Sequence, residues 1–214
     1  MQKGSARLLV AMAVVAVVVA GLLMGLSQLG GGGSPESFTG IPQDGTRLGR
    51  EEAPVTIRLY EDFQCPACGQ FARETLPEVV ERHVKSGDAR LVSETLAFIG
   101  PDLVYAARAA GEQDRYWQYA ALLFENQGAE NSGYVTDEFL TRQAEEVEGL
   151  DMGQWQRERK KSYDEELASV QQRADEAGVN STPTLVVSGP GGEATIRGAV
   201  PIRDVDRAVE EVGG

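Results

Sequence analysis

Cys65 and Cys68 are the only cysteines in the 214-residue chain, and they stand two residues apart in the stretch YEDFQCPACGQF, residues 60–71. Three kinds of chemistry are open to such a pair. A zinc site takes four ligands, or three and a water. The chain has no second cysteine pair, its one histidine is His83, and its carboxylates show no spacing that separates a site from a solvated face. His83 falls in the last turn of a predicted helix, where a solvent-facing side chain near the negative helix end is expected. A purely structural disulfide would close a very short loop, and such bridges stabilise more as the enclosed loop grows. Thiol–disulfide exchange is the third kind, and it requires a reactive, accessible sulfur with a second thiol in reach.

The neighbouring elements favour that third chemistry. VTIRLY (Val55 to Tyr60) alternates apolar and polar residues as a half-buried strand does. A helical pattern, FARETLPEVVERHVKSG, comes after the cysteines and ends at Gly87, with a kink expected at Pro77 because proline cannot donate to the preceding turn. A helix starting at or beside Cys65 turns unpaired backbone N–H groups and the positive end of its dipole toward that sulfur, which favours thiolate. Pro66 suits the first turn, where its missing N–H costs nothing. Cys68 lies one turn behind and less exposed, placed to attack a disulfide formed at Cys65.

ARLVSETL (Ala89 to Leu96) predicts a second strand, and residues from Asp102 to about Ala177 read as helices only. Within that block LVYAARAA and RYWQYAALLF break near Gly111. Thr136 is a predicted N-cap, with Asp137 and Glu138 suiting the helix start. Asp151 with Gln154 resembles a capping box. Met152, Trp155, Tyr163, Leu167, Val170, Ala174 and Ala177 fall at helical steps and predict one apolar stripe, read as core. Strands return with TLVVSG (184–189) and ATIRG (194–198), and PIRDVDRAVEEVG closes the chain as a helix with Pro201 near its first turn. The order is βαβ, a helical block, then ββα, which defines a mixed α/β domain with inserted helices.

Ahead of this domain, Leu8 to Leu26 runs without a charge, long enough as a helix to cross roughly 30 Å of hydrocarbon. Lys3 and Arg7 flank it only on the N-terminal side, so the positive-inside rule exports the domain on its C-terminal side. The expected organisation is an N-terminal transmembrane anchor at 1–29, a flexible tether and irregular lead-in at 30–50, and the folded domain at 51–214 with its helical insertion at about 102–177. A cleaved signal peptide is the rival for the first segment, and both readings export the domain. Hydrophobic residues make up 42% and charged residues 25%, a globular composition. A net charge of −13 opposes nucleic acid and anionic lipid surfaces, so nucleic-acid binding is excluded.

Three features together give the chain its resemblance to the DsbA-like branch of the thioredoxin superfamily, membrane-anchored bacterial type. They are YEDFQCPACGQF, GVNSTPTLVVSG at 178–189, and the helical block between them. The resemblance implies a thioredoxin-like fold with a helical insertion. Catalysis would fall to Cys65 and Cys68 around the dipeptide Pro66-Ala67. Thr182-Pro183 would form a cis-proline loop whose Thr182 backbone pairs with an extended substrate. Two positions depart from the family pattern. DsbA has a histidine between its cysteines, which Pro66-Ala67 lacks. Many relatives carry a buried acid six residues before the first cysteine, where this chain has Leu59, and no proton-transfer role passes to Glu61 or Asp62.

The function implied is that of an extracytoplasmic thiol:disulfide oxidoreductase that passes a disulfide to exported, reduced proteins. Electrons travel on the protein's own sulfurs, so no diffusible cofactor is required. The resemblance implies reoxidation by a quinone-linked membrane partner of the DsbB or VKOR type. A reductase or isomerase using the same pair, and a non-catalytic membrane-tethered binding module, are the alternative readings.

Overall fold

The computed structural model describes residues 34–214. The expected anchor and most of the tether lie outside the described residues. Among the described residues, no helix is long and apolar enough to cross a membrane.

Six strands form one sheet, ordered β1-β2-β4-β3-β5-β6. At its centre β3 (Val55–Glu61) runs parallel to β4 (Ala89–Thr95) and antiparallel to β5 (Thr184–Gly189). β6 (Gly192–Arg197) pairs with β5 on one side, and β2 (Arg47–Leu48) pairs with β4 on the other. The alternation in β3 sorts its residues as predicted. Val55, Ile57 and Leu59 are buried with Leu91, Leu185 and Val187 in the main core, on the face covered by the cysteine-bearing helix and the last helix.

The helix after β3 is broken as its proline requires. α1 (Pro66–Glu74) stops at Thr75, and α2 (Leu76–Val79) resumes with Pro77 in its first turn before a wider π turn, Val80–Val84. The break falls two residues ahead of Pro77 because the proline ring displaces the carbonyl one turn back. Thr75 Oγ1 donates to Val200 O across the break at 2.8 Å. Gly87 ends the segment at φ +89, where a side chain would be strained.

The insertion comprises α3 (Asp102–Gly111), α4 (Tyr116–Glu125), α5 (Asp137–Glu145), α6 (Met152–Glu158) and α7 (Asp164–Glu176). Both N-caps form, Thr136 accepting from Phe139 N at 3.1 Å and Asp151 from Gln154 N at 2.8 Å, but the expected capping box is one-sided, because Asp151 N donates to Gln113 Oε1 at 2.8 Å and not to Gln154. α8 (Ile202–Gly213) closes the domain, with Pro201 as its N-cap.

Several expectations need correction. The segment read as an irregular lead-in contains a 3-10 turn at Pro35–Phe38 and a hairpin of β1 (Gln43–Asp44) with β2. Phe38 and Leu48 are buried, which fixes both pieces on the domain. The single stripe from Met152 to Ala177 is two helices in two places. Trp155 on α6 sits in the main core and donates to Ala106 O at 2.9 Å. Val170 and Ala174 on α7 pack on the opposite sheet face against Tyr60, Leu96 and Val186. His83 does not face solvent, because Asp206 on α8 takes its Nε2 at 2.8 Å and its side chain is only 12% exposed. β6 begins two residues earlier than predicted.

Candidate active site

The cysteine pair lies where the central strand hands over to α1. Cys65 is the N-cap, with extended φ −70 and ψ 119, and Pro66 takes the first helical position. The loop is held from within: Cys65 N donates to Asp62 O at 3.1 Å, and Gly69 N donates to Cys65 O at 3.1 Å to open the helix. The two cysteines are unbridged; Cys65 is half-buried and Cys68 is buried. The predicted asymmetry of an outer and an inner sulfur is therefore present.

Thr182 and Pro183 come to the same place from the far end of the chain. Their peptide bond is cis, and Cys65 Sγ donates to Thr182 O at 3.5 Å. The loop is braced by Thr184 Oγ1 donating to Ser181 O at 2.7 Å and Gly198 N donating to Pro183 O at 2.8 Å. Pro183 is buried while Thr182 keeps part of its surface open. Pro66 is exposed and Ala67 half-buried, so the dipeptide lies at the mouth of the site. All six residues singled out by sequence thus meet in one place.

Two acids beneath the pair are buried, where the sequence left them free to be exposed. Glu61 ends β3 on the same face as Leu59, one repeat nearer the cysteines. Ser93 Oγ lies 2.8 Å from its Oε1, and Ser93, Thr95 and Tyr116 form a buried hydroxyl cluster behind it, with Oγ to Oη distances of 2.7 and 2.6 Å. Burial raises the Glu61 carboxyl to about 7, opposed by the Ser93 hydrogen bond. Burial likewise pushes the Cys68 thiol far above its ordinary value, and the negative charge of Glu61 acts in the same direction. The inner sulfur therefore stays a thiol when the pair is reduced.

Asp62 is a clamp. Its Oδ1 accepts from Gln64 N at 2.7 Å and its Oδ2 from Phe98 N at 3.0 Å, tying the cysteine loop to the β4–α3 loop. Burial raises this carboxyl too, while those backbone donors pull the other way. Gln64 repeats the link: Nε2 donates to Ile99 O at 2.7 Å and Oε1 accepts from Asn131 N at 3.1 Å. Phe98, in the loop so fixed, is 63% exposed. Among the described residues no group of three or more His, Cys, Asp or Glu side chains is arranged to hold a metal.

Sheet, inserted helices and cysteine pair at a helix start facing a cis-proline loop together define a thioredoxin-fold domain of the kind that carries redox-active sulfurs. A family model described as thioredoxin matches residues 43–210, and the chain belongs to that family. The probable disulfide bond formation protein D of Bacillus anthracis is 29% identical over 150 residues, covering 66% of this chain and 69% of that one. Among solved structures, oxidised BdbD of Bacillus subtilis has a TM-score of 0.67 at 19% identity, over 85% of this chain and 96% of its own. DsbA of Chlamydia trachomatis has a TM-score of 0.68 at 22% identity, over 78% of this chain and 90% of its own. At those identities the two structures speak for the shared fold, helical insertion included.

Proposed function

We propose that this chain is a membrane-anchored, extracytoplasmic thiol:disulfide oxidoreductase that donates the Cys65–Cys68 disulfide to exported, reduced proteins. The observation that carries the reading is the graded pair: Cys65 half-buried at a helix start, Cys68 buried one turn behind. Resemblance to proteins named for disulfide bond formation supports the oxidising direction.

The chemistry balances on sulfur alone. A client thiolate attacks Cys65 Sγ of the oxidised pair, and the Cys65–Cys68 bond breaks. Cys68 leaves with the electron pair and takes a proton, as its raised thiol favours. A second client thiolate then attacks the client's sulfur in the mixed disulfide and releases Cys65. The client loses two electrons and the pair gains them. Thr182 would offer its backbone to the client strand in β fashion, and the exposed Phe98 beside the cysteine loop would meet apolar segments of unfolded clients.

Restoring the disulfide requires an acceptor, and a quinone-linked membrane enzyme of the DsbB or VKOR type fits a catalyst anchored through residues 1–29. Tethering both to one bilayer raises their effective concentration. A reductase or isomerase using the same pair is favoured by one feature, the absence of a histidine between the cysteines.

The test is equilibration of the purified chain with glutathione buffers, joined to oxidation of a reduced client. An oxidase shows a readily reduced internal disulfide and leaves the client oxidised. A strongly reducing midpoint assigns the pair to the reductase reading. Failure to form the disulfide, with Cys65 inert to alkylation, leaves only a binding module.

A further inference from the structure

Gln127 lies just past the end of α4 in the insertion, and nothing in the cysteine motif calls for it. Its Nε2 donates to Phe63 O at 2.8 Å and to Cys65 O at 3.0 Å. Both partners are carbonyls, so only the NH2 group can face them and the amide orientation is settled by chemistry. The two carbonyls belong to the Phe63–Gln64 and Cys65–Pro66 peptides, immediately before the helix. Cys65 O already accepts from Gly69 N, so Gln127 supplies its second donor.

Gly69 fits this contact from the other side. It is buried inside α1 at an ordinary helical conformation, where glycine costs about 1 kcal/mol relative to alanine. No left-handed backbone explains it. A Cβ at this position would lie 2.2 Å from Gln127 Oε1 and 3.0 Å from its Cδ, and 2.8 Å from Arg73 Nη1. The arginine tip is the flexible end of a long side chain, whereas the amide is pinned by its two hydrogen bonds. Glycine at 69 is thus the space that Gln127 occupies. Behind it, Arg73 Nη1 donates to Phe124 O at 2.6 Å and Asn126 Nδ2 to Gln143 Oε1 at 2.8 Å, fixing the strap at its root.

We infer that Gln127 is a positioning residue for disulfide exchange, holding the Cys65 backbone so that its sulfur stays at the helix start beside Thr182. The inference rests on the oxidoreductase reading. Releasing the two carbonyls lets the Cys65 backbone leave that geometry, and each lost hydrogen bond diminishes the competent population. Losing one to two such bonds predicts exchange slower by about fivefold to tenfold.

The test uses the full chain in detergent and reads the rate of Cys65 exchange with glutathione disulfide at fixed pH, with unfolding measured in parallel. Gln127→Met keeps the packing volume and removes the donors; it should slow exchange about fivefold to tenfold without a comparable fall in unfolding midpoint. Gly69→Ala, which leaves Gln127 in place but displaces its amide, should slow exchange similarly. The Gly69→Ala/Gln127→Ala double variant should be no slower than Gln127→Ala alone, because the clash with the amide has gone and the arginine tip can shift. Wild-type exchange rates in Gln127→Met, or fully additive losses in the double variant, overturn the positioning role. A wild-type chain that does not exchange with glutathione at all overturns the oxidoreductase reading and this inference with it.

Discussion

Replacing Glu61 with glutamine isolates the cost of burying an acid beneath the cysteines. Burial lifts this carboxyl from 4.5 to about 7. The folded chain therefore holds the proton more tightly than the unfolded chain does. Below pH 4.5 both states are protonated and Glu61 carries no penalty. Between about 4.5 and 7 the unfolded chain ionises first, binds fewer protons, and gains on the folded state as pH rises. Above 7 the penalty is constant, at about 3 kcal/mol for a difference of this size. Glutamine keeps an oxygen for the Ser93 hydroxyl and cannot ionise. Glu61→Gln should thus match the wild type near pH 4.5 and exceed it by about 3 kcal/mol at pH 8. Urea unfolding monitored by tryptophan fluorescence reads this directly, since Trp117 and Trp155 are both buried in the main core. Parallel stability profiles for the two proteins between pH 5 and 8, or a variant weaker at pH 8, would refute the reasoning.

Cys68→Ala should leave Cys65 able to capture disulfide-bonded partners with no neighbouring thiol to free them, so reducible adducts should accumulate on non-reducing gels; Cys65→Ala should give few, and equal trapping by both would overturn the assignment of roles. Ala67→His places a histidine between the cysteines and should make the pair more oxidising by at least about 30 mV, tenfold in equilibrium constant, in a glutathione titration; an unchanged midpoint would count against a role for the dipeptide. Protein recovered from native membranes should retain Met1 or Gln2 at its N-terminus, and soluble protein beginning near Gly21 would sink the anchor.

Where local pattern and tertiary environment agreed, the sequence was easy to read. β5 runs over the predicted residues because Leu185 and Val187 meet the core from a central strand. Thr136 and Asp151 cap as their side chains dictate. The cysteine pair and Thr182-Pro183 were found by motif and are brought together by the register of β3 with β5. The hairpin at 43–48 escaped notice because two-residue strands have no period to detect. The stripe from Met152 to Ala177 misled because helical steps carry on across the break between α6 and α7, which polar residues do not announce. Burial of Glu61 depends on hydroxyls that β4 and α4 deliver, so no local signal foretells it. Gln127 had one available signal, a glycine inside a helix directly after Cys68, which marks close approach.

The short hairpin bears on how an oxidoreductase acting on unfolded chains, as proposed, would avoid being trapped by them. Extended clients seek unpaired backbone, and a bare sheet margin would accept them anywhere along its length. Here β2 pairs with the middle of β4 at Leu91 and Val92, and the outermost strand on that side, β1, is only Gln43–Asp44. At the opposite margin β6 carries exposed Glu193 and Arg197. Neither border offers a long, uncharged template for adhesion. Under the proposed function, a client strand would be left the backbone at Thr182, where pairing would bring its cysteine within reach of Cys65, and docking elsewhere on the sheet would not compete with turnover.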